Sequence, residues 1–227
     1  MADIKLNVIK PSVNNMTVRV FVRAAGLDFE ETDVYGSTRT PEFLKRNPAH
    51  LTPMLEVGSL PRGALWESRA IMQYLCNEHG LTQFYPTDPK KRAMIDSAMF
   101  YLIGTLYPLV SRATYEKLKF AQYPGEVGWS DADETAKSAA RQHAADAIAE
   151  PLDVFHKFYM DGKFIGGDKP SIADIRLAAT LEFLAVIDYP LPQWAKDYMK
   201  LMEDTLGAAY KEPADDVRGY ISWVRSS

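Results

Sequence analysis

The sequence predicts an α/β domain followed by an all-helical one. Up to about residue 80, short alternating apolar segments interleave with short helical stripes, and from Pro89 onward helical periodicity runs with no convincing strand. The expected division is residues 1–80, a linker over 81–88 and a helical domain over 89–227. The chain is long enough for two small domains, and its 47% hydrophobic and 25% charged content is that of an ordinary globular protein.

In the first part, Ile4, Leu6 and Val8 alternate as a strand. Val18, Phe21, Val22 and Ala25 form a helical stripe that stops at Gly26. Residues 29–35 read as a second strand. Thr40-Pro41 supplies a cap residue and a proline at the first helical position, opening a short helix to about Arg46. Residues 54–57 and 64–66 are short strands around a turn with Gly58, Pro61 and Gly63, and residues 68–77 form a helix with Ala70, Ile71, Tyr74 and Leu75 inward. The order βαβαββα gives a four-stranded mixed sheet with packed helices.

The second part has helical patterns over residues 89–115, 131–158, 171–187 and 192–206. Residues 123–128 read as an exposed loop. Ser171-Ile172-Ala173-Asp174 has capping-box spacing with Asp in place of Glu.

Composition excludes several classes of function. A formal charge of −4 from mixed signs steers the chain toward neither nucleic acid nor an acidic membrane surface. No segment holds eighteen uncharged apolar residues, and the start lacks a basic region followed by an apolar run, so a soluble, unsecreted, cytoplasmic protein is expected. The single cysteine, Cys76, cannot form an internal disulfide, and as a buried thiol near a helix end it is expected to be inert. His50, His79, His143 and His156 are scattered without ligand spacing, so no metal is expected.

The most informative stretch is Ala64 to Ile71, a little after His50-Leu51-Thr52-Pro53. Glu67 and Ser68 stand where a short strand hands over to a helix. An acid pairs with an ammonium group, and a hydroxyl beside the open amides of a first helical turn holds a carboxylate. An amino-acid head group carries both charges, so the expected ligand is a free α-amino acid or a γ-linked peptide.

Together these motifs resemble the cytosolic glutathione transferase superfamily over nearly the whole chain: a thioredoxin-like βαβαββα domain, a linker, and a helical domain with a Ser/Thr-x-x-Asp box. Asn47 to Pro53, Ala64 to Ile71, Tyr85-Pro86 with Pro89 to Ala93, and Gly104 to Tyr107 are similar to the delta, epsilon and theta classes. The resemblance implies glutathione as co-substrate, with Pro53 cis so that the backbone of Thr52 meets its cysteinyl part. It also implies Glu67 and Ser68 at the γ-glutamyl head with Arg69 in support, and His50 at the glycyl carboxylate. It implies a homodimer.

Catalysis then needs a donor at the sulfur, because a free thiol of pKa about 8.5 is only a few per cent ionised at neutral pH. Ser12, between the first strand and first helix, is the candidate by placement. Taken alone, a serine there reads as a turn serine or helix cap with no catalytic task. Asn14 is similar to the Thr-x-Asn pair of nu-class relatives, several of which favour disulfide chemistry. No cysteine stands between Ser12 and Thr17, which separates the chain from omega-class and glutaredoxin-type proteins, and no tyrosine ends the first strand. The electrophile pocket is expected between the domains from Tyr107, Arg112, Tyr115 and Trp223, with Phe100, Tyr101 and Tyr220 shared between core and pocket. Three functions stay open at this point: conjugation of glutathione to an apolar electrophile, glutathione-dependent disulfide chemistry, and a non-enzymatic glutathione-binding module.

Overall fold

Strand β1 (Ile4–Val8) buries Ile4, Leu6 and Val8 and leaves Lys5 in solvent, as alternation requires. It is central in a sheet of order β2-β1-β3-β4, with β2 Phe29–Asp33, β3 Met54–Glu56 and β4 Ala64–Trp66. β1 runs parallel to β2 and antiparallel to β3, and β3 runs antiparallel to β4. The computed structural model describes residues 4–120 and 133–227, so the expected 123–128 loop and helix start at Asp131 lie outside the described residues.

Local chemistry sets the boundaries. Helix α1 (Val13–Ala24) ends at Gly26, whose φ of 66° allows Leu27 N–H to reach the Val22 carbonyl at 3.1 Å while Gly26 N–H reaches Arg23. β2 stops at Asp33, before the expected 35, because the Asp33 carboxylate takes the Tyr35 amide at 3.0 Å and turns the chain. α2 (Pro41–Arg46) is capped by Thr40, and α3 spans Ser68–Glu78.

The helical part opens with α4 (Pro89–Tyr101), capped by Asp88 on the Lys90 and Lys91 amides. A π turn, Leu102–Leu106, joins it to α5 (Tyr107–Thr114). Pro108 explains the turn: it has no N–H, and its ring crowds the carbonyl four residues back. The combined helix Pro89–Thr114 is long and apolar enough to cross a membrane, but Ile95, Ala98, Met99, Leu102, Leu106 and Val110 are buried in the core, which accounts for that composition.

The helix expected over 131–158 is divided. α6 (Glu134–Ala147), capped by Asp133, gives way to α7 (Ala149–Val154) and a π turn, Phe155–Tyr159, around Pro151. α8 (Ile172–Glu182) is buried along its whole length and continues as a 3₁₀ turn, Phe183–Ile187. α9 is Gln193–Leu206.

The sequence reading omitted α10 (Ala208–Ser226). Its buried Tyr210, Ala214, Val217, Ile221 and Val224 repeat at helical spacing, but Pro213 and Gly219 mask the pattern. α10 packs on α1, and the buried Arg19 joins them to β2, meeting Glu31 at 2.9 Å and Asp216 at 2.8 Å. One continuous apolar core links the sheet part to the helical part.

Candidate functional site

The sheet register gathers three loops at one end of the sheet. Asn7 pairs with Met54 and Met54 with Trp66, so the segments after β1, before β3 and after β4 leave from neighbouring positions. These segments carry Ser12, Thr52-Pro53 and Glu67-Ser68 respectively. The Thr52–Pro53 peptide bond is cis. Among the described residues the N–H and C=O of Thr52 make no hydrogen bond, while its hydroxyl accepts one from Asn15 at 3.1 Å. Asn15, which the sequence reading passed over, thus ties the Ser12 loop to the Pro53 loop.

Among the described residues six polar side chains stand at α-helix N-caps, and four of them are spent on capping. Thr40, Asp88, Asp133 and Ser171 each accept a first-turn amide. Ser12 and Glu67 do not. Among the described residues the Ser12 hydroxyl and the Glu67 carboxylate make no hydrogen bond, and the first-turn amides of α1 and α3 remain open for a ligand. Glu67 has φ 73° and ψ 110°, a conformation that costs a side-chain-bearing residue roughly 1–3 kcal/mol. Ser68 beside it is buried and Glu67 exposed.

His50 is half-buried at φ 49°, in a loop held by Asn47, which is fully buried and bonds the Leu51 carbonyl at 2.7 Å and the Ala49 amide at 3.1 Å. Arg69, expected in support of the head-group site, follows the buried Ser68 in the first turn of α3. Its guanidinium pairs with Asp96 of α4 at 2.9 Å and lies 3.5 Å over the ring of Phe100. Gln73 and Tyr85 also bond Asp96, so Arg69 belongs to a network that fastens α3 to α4.

The expected pocket residues separate into two groups. Asn14 donates to the Tyr107 hydroxyl at 2.7 Å, and the hydroxyls of Tyr107 and Tyr115 lie 2.7 Å apart, so the first turn of α1 and α5 meet directly. Arg176 of α8 lies 4.6 Å from the Tyr107 ring centre. Tyr101 instead packs with Phe155 and Tyr159, and Tyr220 bonds the Leu118 carbonyl and stacks near Trp223, which is 55% exposed with the Lys119 ammonium over its ring. Phe100 is 67% exposed, and Arg112 is half-buried. A groove of 740 Å³ beside Leu152, Phe158, Tyr189 and Trp194 contains none of these residues, so concavity does not single out the cluster; its chemistry does.

Away from the cluster, burial pushes the Cys76 thiol up to about 12 against the opposing charge of Arg92, which makes it inert at neutral pH. The expected box at α8 is formed, and Asp174 also takes the amides of Ile165 and Gly166 and the hydroxyl of Tyr198. Burial raises its carboxyl, and these hydrogen bonds offset part of the rise.

The glutathione S-transferase N-terminal domain family matches residues 3–77, and the C-terminal domain family matches residues 138–205. A glutathione transferase of Bombyx mori is 27% identical with a TM-score of 0.76, over 98% of this chain and 96% of that one. An epsilon-class glutathione S-transferase from the housefly, Musca domestica, is 25% identical with a TM-score of 0.76, over 98% and 97%. A theta-class enzyme from Xanthomonas axonopodis pv. citri, solved with glutathione bound, is 20% identical with a TM-score of 0.72, over 94% and 98%, a likeness of fold. With a mixed four-stranded sheet, a following helical domain and both family domains matched, this chain belongs to the glutathione S-transferase family.

Proposed function

We propose that this protein binds glutathione at the end of its sheet and joins the thiolate to an electrophilic, mostly apolar substrate. The observation that carries this reading is the pair of uncommitted N-caps, Ser12 and Glu67, at the ends of β1 and β4. Glu67 pairs with the γ-glutamyl ammonium, and Ser68 with the open amides of α3 takes its carboxylate. The free N–H and C=O of Thr52 align the cysteinyl part, and His50 meets the glycyl end. Residues 1–80 then form the glutathione-binding domain, 81–88 the linker and 89–227 the substrate-side domain. The lone, inert Cys76 suits a reducing, cytoplasmic compartment.

Ser12 donates its hydroxyl hydrogen to the sulfur, and Asn14, held by Tyr107, offers its second amide hydrogen. Both favour the thiolate once the thiol proton has passed to solvent. The sulfur lone pair forms the new S–C bond. In substitution the leaving group departs with its electron pair; in addition the carbanion takes a proton. Tyr107 and Tyr115 wall the electrophile's side, with Arg112 and Trp223 farther along that face. Exposed Phe100 and Met94 on α4 support a second copy covering this helix as a homodimer, which light scattering on the purified protein measures directly.

The test is retention on immobilised glutathione together with conjugation of a chloronitrobenzene. Ser12→Ala is expected to lower conjugation by about 10²–10³. Glu67→Gln is expected to weaken glutathione binding by roughly 1–3 kcal/mol. Disulfide reduction without conjugation would assign the Ser12 and Asn14 pair to redox chemistry, and binding with neither activity would make the protein a glutathione-binding module.

A further inference from the structure

Arg176 sits on α8, the most deeply buried helix, and is 2% exposed. Its Nε and Nη1 are shut off from solvent and find no hydrogen-bond partner among the described residues. The other buried arginines, Arg19 and Arg69, also hold unpartnered nitrogens, but each makes a salt bridge, Arg19 with Glu31 and Asp216 and Arg69 with Asp96, whereas Arg176 makes none among the described residues. An arginine does not give up its proton in a protein, so the charge stays. A buried cation with no carboxylate in salt-bridge contact is costly, and such a charge persists where it serves a purpose.

The groups around it identify that purpose. The elements packed against α8 mostly carry charges already committed elsewhere. On α1, Arg19 and Arg23 face Glu31. On α4, Asp96 holds Arg69. On α9, Tyr198 bonds Asp174, and on α10, Tyr210 and Arg218 bond Glu182. The Tyr107 ring lies 4.6 Å from the Arg176 guanidinium, and the charges of Tyr115 and of Glu67 at the head of α3 act on it. Burial pulls its guanidinium below the usual arginine range, and these three groups oppose that pull. Tyr107 is the partner of Asn14, and Glu67 is the uncommitted cap. The charge therefore lies against the ring of Tyr107, whose hydroxyl holds Asn14 at the start of α1.

We propose that Arg176 is a positioning residue whose standing positive charge, set behind Tyr107, stabilises an anionic sulfur in the cleft. The inference rests on the glutathione reading above and deepens it. Through a dry, low-dielectric layer a fixed charge acts more strongly than in water, and it favours the ionised form of a nearby thiol. The unliganded protein carries the cost of the buried cation, and the bound thiolate offsets it.

Three variants test this: Arg176→Met, Arg176→Gln and Arg176→Lys. The readout is the pKa of glutathione bound to the protein, followed by thiolate ultraviolet absorbance against pH. The two neutral variants are expected to raise that pKa by about one unit, a tenfold loss of thiolate below it. The lysine variant is expected to keep the thiolate fraction within about twofold of the parent. S-methylglutathione, which has no ionisable sulfur, is expected to bind parent and Arg176→Met within about threefold of each other, because the head-group contacts are separate.

Stability gives an independent signature. Removing an uncompensated buried charge is expected to leave the melting temperature of ligand-free Arg176→Met unchanged or higher, whereas a purely structural arginine predicts a fall. An unchanged thiol pKa in a variant that still binds glutathione would overturn the proposal. Collapse of both neutral variants would overturn it too, since it would make Arg176 a packing residue. If the parent itself binds neither glutathione nor S-methylglutathione, the glutathione reading fails instead.

Discussion

Asn14 donates its side-chain amide to the Tyr107 hydroxyl at 2.7 Å, across 93 positions of sequence. The bond joins the first turn of α1 to α5, and so fastens the sheet part of the chain to the helical part. An amide held in this way keeps one N–H for Tyr107 and has one left to offer a sulfur.

Tyr107→Phe removes the acceptor while keeping the ring. The expected result is a loss of about tenfold in kcat/KM for conjugation, the worth of one hydrogen bond, with little change in glutathione affinity. In a double-mutant cycle with Asn14→Ala, steady-state kinetics should give a coupling of about 1 kcal/mol. Strict additivity would mean that the bond does not serve the reaction.

Glu67→Gly separates binding from folding. Glycine adopts the positive φ of residue 67 freely, so relief of local strain opposes the extra freedom of the unfolded chain. Thermal melting should stay level or rise, while calorimetric titration shows weakened glutathione binding. A lower melting temperature with intact binding would return Glu67 to a structural role.

The Cys76 thiol, pushed up to about 12, should resist iodoacetamide at pH 8 in the native protein and react promptly after denaturation. Mass spectrometry after a timed exposure checks this. Fast native labelling would mean that the end of α3 opens readily.

Glu31→Gln should destabilise the protein in a pH-dependent way. Burial pushes the Glu31 carboxyl up, but Arg19 and Arg23 more than offset this and hold it below the ordinary value of 4.5. A depressed carboxyl contributes stability that is fully present above the unfolded pKa and lost as pH falls through the folded one. The gap between parent and variant in urea unfolding should therefore be level above about pH 5 and shrink toward zero in acid, from roughly 1–3 kcal/mol at neutrality.

Periodicity and caps, each encoded within a few neighbouring residues, sufficed for the order βαβαββα, the succession of helices after Pro89 and the box at Ser171-Asp174. The same local signals misled where prolines intervened. Pro151 divides a helix that reads as continuous, and Pro108 lies at a π turn. Pro213 obscures α10 although its buried stripe is regular.

The sequence by itself determined that Ser12, Thr52-Pro53 and Glu67-Ser68 stand at the joints between strands and helices, because joints are local. Only the tertiary structure decided what their side chains do. It left Ser12 and Glu67 unspent while four other caps were used, sent Arg69 to Asp96, tied Asn14 to Tyr107 and enclosed Arg176 with no salt bridge among the described residues. The physical reason is that a polar group's partner and its desolvation depend on which distant segments pack against it, and residues such as Asn14 and Tyr107 meet only when the helical part closes on the sheet.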